Sequence, residues 1–133
     1  MFLVDTNVLI DLANVSPAWQ AWSRQALATA MRTGEVAINP IIYAELSVAY
    51  DTIETLDAAL DALGVRRRPL PFEAGFLAGR AFLAYRRAGG ARASPMPDFY
   101  IGAHAAIEGL TLITRDPRRV QTYFPKVAVV SPS

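Results

Sequence analysis

The chain has 133 residues, 53% of them hydrophobic, with a mean hydropathy of +0.23, which excludes a disordered polypeptide and suits one packed domain over residues 1–133. A formal charge of +1 marks neither a basic nor an acidic tail, and zero cysteines exclude disulfides, thiol chemistry and zinc–thiolate sites. Charged residues interrupt every apolar run short of the ~18 residues of a membrane span, and no basic segment precedes an apolar one at the N-terminus, so a cytoplasmic protein without membrane contact or secretory signal is expected.

Phe2-Leu3-Val4 is a continuous apolar run that leads into Asp5, Thr6 and Asn7. Such runs are buried strands of parallel sheets, and ligands gather just beyond their carboxyl ends. Val8 to Leu12 continues as a helix that Thr6 or Asn7 caps. Ser16-Pro17 opens a second helix through Trp19 and Trp22 to about Arg32, and Thr33-Gly34 ends it. Glu35 to Ile38 is the second strand, and Asn39-Pro40 turns into a helix reaching about Tyr50. From about Asp51 to Leu63, Ile53, Leu56, Leu60 and Leu63 form a helical stripe that Gly64 closes. Val65 to Leu70 reads as an edge strand, because Arg66, Arg67 and Arg68 oppose burial and Pro69 and Pro71 exclude a central place. Phe72 to Arg87 is helical, and Gly89-Gly90 opens a loop reaching Pro97. Asp98 caps a helix to Glu108, stopped by Gly109. Leu110 to Thr114 is a strand, Asp116-Pro117 opens a short helix, and Lys126 to Val130 is the last strand. Short apolar strands alternating with helices predict an α/β domain whose parallel sheet carries helices on both faces.

Four carboxylates are expected to meet at one edge of that sheet. Asp5 and Asp116 follow the C-terminal ends of strands. Asp98 begins a helix of about ten residues at ~1.5 Å each, which the next strand retraces at ~3.3 Å per residue, so Asp98 returns to the edge where Asp116 lies. Glu45 stands in the second turn after the second strand, and helical side chains tilt toward the N-terminus, which aims it at the same edge. Capping explains Asp5, Asp98 and Asp116 equally well when each is taken alone. Glu45 resists that explanation: it shares the apolar stripe with Ile42 and Leu46, where a carboxylate is costly unless paired or metal-bound. Four such groups together require a cation, and all-oxygen donors point to Mg²⁺ or Mn²⁺. The single histidine, His104, reads as a core or groove-lining residue rather than a ligand.

Val4-Asp5-Thr6-Asn7-Val8-Leu9-Ile10, Asn39-Pro40-Ile41-Ile42-Tyr43-Ala44-Glu45-Leu46, Asp98-Phe99-Tyr100-Ile101-Gly102-Ala103-His104-Ala105 and Leu112-Ile113-Thr114-Arg115-Asp116 together resemble the PIN-domain ribonucleases. Within these, the chain is most similar to the VapC toxins of toxin–antitoxin pairs. The resemblance covers essentially the whole chain. It implies a three-layer α/β/α sandwich with strand order 3-2-1-4-5, a Mg²⁺- or Mn²⁺-dependent endoribonuclease, a homodimer, and a VapB-like antitoxin. Residue by residue, it implies that Asp5, Glu45, Asp98 and Asp116 form the catalytic metal site. Thr114 then matches the hydroxyl beside the last acid, and Thr6 or Asn7 the polar neighbour of the first.

Two further readings concern the substrate. Thirteen basic residues, twelve of them arginine, stand against eight acids once the four site carboxylates are set aside, which suits an RNA phosphate backbone. Arg86, Arg87 and Arg92 around the Gly89-Gly90 loop, with Arg115, are candidate phosphate contacts, the alternative being a solvated basic loop. Trp19 and Trp22 are expected to pack on a helix face or dimer seam. A phospho-acceptor domain fits poorly, since Asn7 stands where a phosphatase needs a second aspartate and Lys126 precedes the last strand. A non-catalytic RNA-binding or scaffold module is the remaining alternative.

Overall fold

The computed structural model describes residues 1–14, 18–90 and 96–132. Five strands, β1 (Phe2–Val4), β2 (Val36–Ile38), β3 (Arg66–Arg67), β4 (Thr111–Ile113) and β5 (Val129–Val130), pair in parallel in the order β3-β2-β1-β4-β5. This is the expected order, with the strand before Asp5 at the centre. The helices between them are α1 (Thr6–Asn14), α2 (Gln20–Thr33), α3 (Pro40–Leu46), α4 (Ile53–Leu63), α5 (Phe72–Arg87), α6 (Met96–Glu108) and α7 (Arg118–Tyr123), with a 3-10 turn at Ser47–Ala49. Crossovers leave β1 in both directions and are right-handed in such sheets, so α1 to α4 cover one face and α5 to α7 the other.

The apolar runs account for the layers. Leu3, Val4, Ala37, Ile38 and Ile113 are fully buried, as central parallel strands covered on both faces must be. Phe99, Ile42, Leu46, Leu56 and Ile101 fill the helix–sheet interfaces. Gly102 permits a close helix–helix approach: a Cβ there would stand 2.5 Å from the Phe124 ring, so α6 meets the end of α7 only because the side chain is absent. Among the described residues no helix is long and apolar enough to cross a membrane.

A buried polar chain ties α3 to α6. The Asn39 side chain caps α3 by accepting from the Ile42 amide at 3.0 Å, and its amide nitrogen lies 3.0 Å from His104 Nδ1. With Asn39 donating, the opposite nitrogen, Nε2, carries the proton and donates to Glu108 Oε1 at 3.1 Å. His104 is fully buried, as the core reading of it expects.

Several boundaries differ from the sequence reading, each for a local reason. Thr6 and Asn7 lie in the first turn of α1 rather than capping it; Asp5 precedes the helix, and its carbonyl accepts from the Val8 amide at 3.2 Å. Asp98 is likewise inside the first turn of α6, which starts at Met96 and places Pro97 where a missing N–H costs nothing. The last strand is shortened because Val127 N–H turns back to the Phe124 carbonyl at 3.0 Å. The Ser16-Pro17 helix start lies outside the described residues. β3 is the edge strand its arginines foretold: Arg66 pairs with Glu35 at 3.2 Å, and Arg67 with Asp57 and Asp61 of α4, each at 3.2 Å.

Candidate metal centre

Strand register builds the first half of the site. Val4 pairs with Ile113, so Asp5 and Thr114 leave the sheet side by side, and the Asp5 amide donates to the Ile113 carbonyl at 2.8 Å. Thr114, fully buried, donates its hydroxyl to Asp5 Oδ2 at 2.7 Å and accepts from the Asp116 amide at 3.1 Å. Asp5 Oδ1 accepts the Thr6 amide at 2.7 Å. Asn7 brings its amide nitrogen to 3.4 Å from both Asp5 Oδ2 and Thr114 Oγ1, and its oxygen accepts from the Arg115 backbone at 3.3 Å. Thr6, Asn7 and Thr114 thus all surround Asp5, and Thr114 touches Asp116 only through its backbone.

Desolvation pushes the Asp5 carboxyl from its ordinary 3.8 up to about 6, and the negative charges of Asp98 and Glu45 add to this. The hydrogen bonds from Thr114 and Thr6 oppose the rise without cancelling it.

Asp98 and Asp116 reach the same place from α6 and from the turn after β4. With Asp5, Asn7, Ile101 and Arg119 they line a cavity of about 120 Å³ at the C-terminal edge of the sheet. Glu45 does not line it. It is half-buried on α3 and accepts the Thr6 hydroxyl at 2.5 Å, one side chain away from Asp5. Three of the four expected carboxylates therefore share the cavity, and the fourth adjoins it through Thr6.

Two arginines that the sequence reading passed over hold the outer pair. Arg119 Nη1 lies 2.6 Å from Asp98 Oδ2, and its guanidinium stacks 5.4 Å from the Tyr85 ring centre and 6.0 Å from that of Phe99. Arg118 forks onto Asp116 at 3.0 and 3.2 Å and holds that carboxyl below the ordinary range. The signal for both was the basic cluster around Asp116, whose fork geometry matches a carboxylate.

The remaining basic candidates divide. Arg115 Nε lies 2.7 Å from the carboxylate of buried Asp11, which also accepts the Ser23 hydroxyl at 2.7 Å. Its guanidinium stacks 5.2 Å from the Trp19 ring centre. Arg115 is thus a strut between α1 and the turn after β4, not an open phosphate contact. Trp22 packs against the core, and Trp19 covers Arg115, in keeping with the packing role expected of both. Arg86 and Arg87 are exposed at the end of α5, away from the cavity lining, and Arg92 lies outside the described residues.

A sequence model of the PIN domain matches residues 2–128. The chain belongs to the PIN-domain family. Among solved structures, a chain of VapBC2 from Rickettsia felis, bound to a DNA fragment from their promoter, matches with a TM-score of 0.75 at 19% identity, covering 99% of this chain and 98% of its own. A chain of a toxin–antitoxin complex from Klebsiella pneumoniae gives 0.72 at 24% identity over 100% and 98%. VapBC-1 from nontypeable Haemophilus influenzae gives 0.71 at 19% over 98% and 96%. These likenesses establish a shared fold. A comparison with curated proteins gives no match.

PIN-domain nucleases as a class use divalent metals, and the donors of this PIN domain suit a hard cation. All are oxygens or amides, and Asp5 is pushed toward protonation chiefly by burial, with the charges of Asp98 and Glu45, which a cation would offset, adding to it. Among the described residues no three such side chains stand at ligation spacing while Arg118 and Arg119 hold Asp116 and Asp98. Both pairs are solvent-accessible, with Asp98 and Asp116 side chains 48% and 58% exposed, so exchanging an arginine for a metal ion costs little.

Proposed function

We propose that this PIN domain is a Mg²⁺- or Mn²⁺-dependent endoribonuclease, the toxin of a VapBC-type pair, acting in the cytoplasm as a homodimer and restrained by a VapB-like antitoxin. The observation that carries the reading is the meeting of Asp5, Asp98 and Asp116 in one cavity beyond the C-terminal ends of β1 and β4. The antitoxin partner is supported by fold likeness to chains of VapBC complexes.

Asp5, Asp98 and Asp116 would hold the metal, with Glu45 completing the site through Thr6. A bound Mg²⁺ or Mn²⁺ supplies charge for the phosphate oxygens and lowers the pKa of an attacking water. Thr114 and the Thr6 amide keep the Asp5 carboxylate aimed into the cavity. The water oxygen bonds to phosphorus as the bond to the ribose 3′-oxygen breaks, leaving a 5′-phosphate and a 3′-hydroxyl. One proton of the water passes to a site carboxylate, Asp116 in the cavity or Glu45 by way of the Thr6 hydroxyl, and the departing 3′-oxygen takes a proton from solvent.

Self-association is supported by α5. Phe72 and Phe76 are 97% and 68% exposed and Leu83 is 40% exposed, on a stripe that also contains Gly79, where a Cβ would meet nothing within 4 Å. In an antiparallel two-fold pairing of α5 with its copy, Phe76 faces Gly79 and Phe72 faces Leu83, a self-complementary arrangement.

The deciding experiment is cleavage of single-stranded RNA by purified protein with Mg²⁺, with EDTA, and with Asp5→Asn. Cleavage that requires Mg²⁺ and fails in the variant supports the reading. Equal cleavage by the variant refutes the site, and RNA binding without cleavage identifies a non-catalytic module.

A further inference from the structure

A second, larger recess adjoins the acidic cavity. It holds about 370 Å³ and is lined by Tyr85, Asp116, Arg118, Arg119, Thr122 and Tyr123. Asp116 and Arg119 line both spaces, so the two adjoin across these side chains. One side is thus acidic and the other combines two guanidinium groups with two phenol rings.

The rings are set by packing. Tyr123 stands edge-on to Phe99 and Tyr85, with ring centres 5.2 and 6.1 Å apart. Tyr85 is flanked by Phe82 at 6.3 Å. The backbone at Gly90 lies so close to Tyr85 that a Cβ there would meet the ring at 2.4 Å. Rings held in this way lose little freedom when a flat group stacks on them. The arginines contrast in exposure: the Arg118 side chain is 87% exposed, whereas that of Arg119 is 38% exposed and lies over the Tyr85 and Phe99 rings.

We propose that this recess is a nucleotide subsite, taking the residue of a single-stranded RNA next to the phosphodiester held at the carboxylates. Arg118 and Arg119 bind its backbone phosphate, and Tyr123, whose ring contacts are edge-on, stacks its base, with Tyr85 holding Arg119 in place. The inference rests on the ribonuclease reading and specifies where the strand runs. A guanidinium fork suits a phosphate as well as a carboxylate, and a half-exposed ion pair is cheaply exchanged for another anion. Arg119 therefore has two alternative partners: Asp98 before the site is filled, and the substrate phosphate once a cation occupies the carboxylate. A stacked base requires an unpaired strand, because a duplex hides the base faces.

The test is fluorescence anisotropy of a labelled single-stranded RNA with Ca²⁺ in place of Mg²⁺, which takes the same oxygen ligands but activates water less, with circular dichroism melts confirming that each variant folds. Arg118→Ala and Arg119→Ala each weaken binding and each lower the slope of log affinity against log salt by about one. Tyr123→Leu weakens binding about fivefold or more with the slope unchanged, as loss of a base stack does. In EDTA, where Asp98 holds Arg119 and no cation competes, Asp98→Asn releases Arg119 and tightens binding, and the gain disappears in Asp98→Asn/Arg119→Ala. Wild-type affinity and slope in folded Arg118→Ala and Arg119→Ala overturn the proposal. So does equal competition by duplex RNA or by an acidic peptide. If the wild type fails to cleave with Mg²⁺ yet shows this binding pattern, the subsite stands and the nuclease reading falls. If it cleaves while the variants bind and cleave like it, the subsite falls alone.

Discussion

Thr114 donates its buried hydroxyl to Asp5 Oδ2 at 2.7 Å across 109 residues of sequence, fixing the central carboxylate of the site to the neighbouring strand. The bond orients a group whose pKa is raised from 3.8 to about 6 by burial, with the charges of Asp98 and Glu45 adding. A carboxyl with a raised folded pKa stabilises the fold while protonated, below its unfolded value. That contribution is lost as pH climbs through the folded value. In EDTA, Asp5→Asn is therefore expected to melt above wild type at pH 7.5, by about 1–3 kcal/mol, with the difference shrinking toward pH 4. A variant that melts at or below wild type at pH 7.5 would contradict the assignment.

Metal binding should compete with Arg119. The Asp98–Arg119 pair is open to solvent, so Arg119→Ala is expected to tighten Mg²⁺ binding by about two- to fivefold, the range of one exposed ion pair. Asp5→Asn should weaken it far more. Isothermal titration calorimetry reads both, and Mg²⁺ should raise the wild-type melting temperature while leaving that of Asp5→Asn nearly unmoved.

His104 is expected to matter for stability before activity. Its ring joins Asn39, the cap of α3, to Glu108 at the end of α6. His104→Ala opens a hole, takes the His104 partner from the buried Asn39 amide and leaves Glu108 only Arg68, and is expected to cost about 2–4 kcal/mol. Urea unfolding at constant slope checks this, and a cost below about 1 kcal/mol would mean that the chain is dispensable.

The α5 stripe predicts a clean separation of assembly from folding. Phe72→Ser/Phe76→Ser removes two exposed rings, so light scattering after gel filtration should show monomer where wild type shows dimer. Monomer stability should stay within about 0.5 kcal/mol because neither ring is in the core. Dimer persisting in the double variant would place self-association elsewhere.

What the sequence disclosed and what it withheld follow from the range of the interactions concerned. The apolar runs at Phe2–Val4, Val36–Ile38 and Thr111–Ile113 declared the strands, because burial on both faces leaves a local mark. Asp5, Asp98 and Asp116 were placed correctly because element lengths alone return them to one edge. Glu45 looked the hardest to explain away on its stripe, yet it is half-buried and linked to Asp5 only through the Thr6 hydroxyl. Periodicity showed which side of α3 it occupied, not the neighbour it would find on α1. Arg115 was misjudged for a related reason. Its partner Asp11 lies 104 residues away, and nothing local announces that a buried carboxylate awaits it. Arg118 and Arg119 were visible as charges but not as the residues opposite Asp116 and Asp98, which depends on how Gly102 lets α7 approach α6.

The rims of the sheet decide one further matter. β3 and β5 are each two residues long, and the arginines of β3 are drawn sideways onto Glu35, Asp57 and Asp61. Two-residue edges, that of β3 also charged, offer an incoming strand few backbone groups to pair with. Among the described residues, partners that act by β-augmentation, and fibrils that grow by the same pairing, find little template at these two edges. The helices carry most of the surface open to a partner.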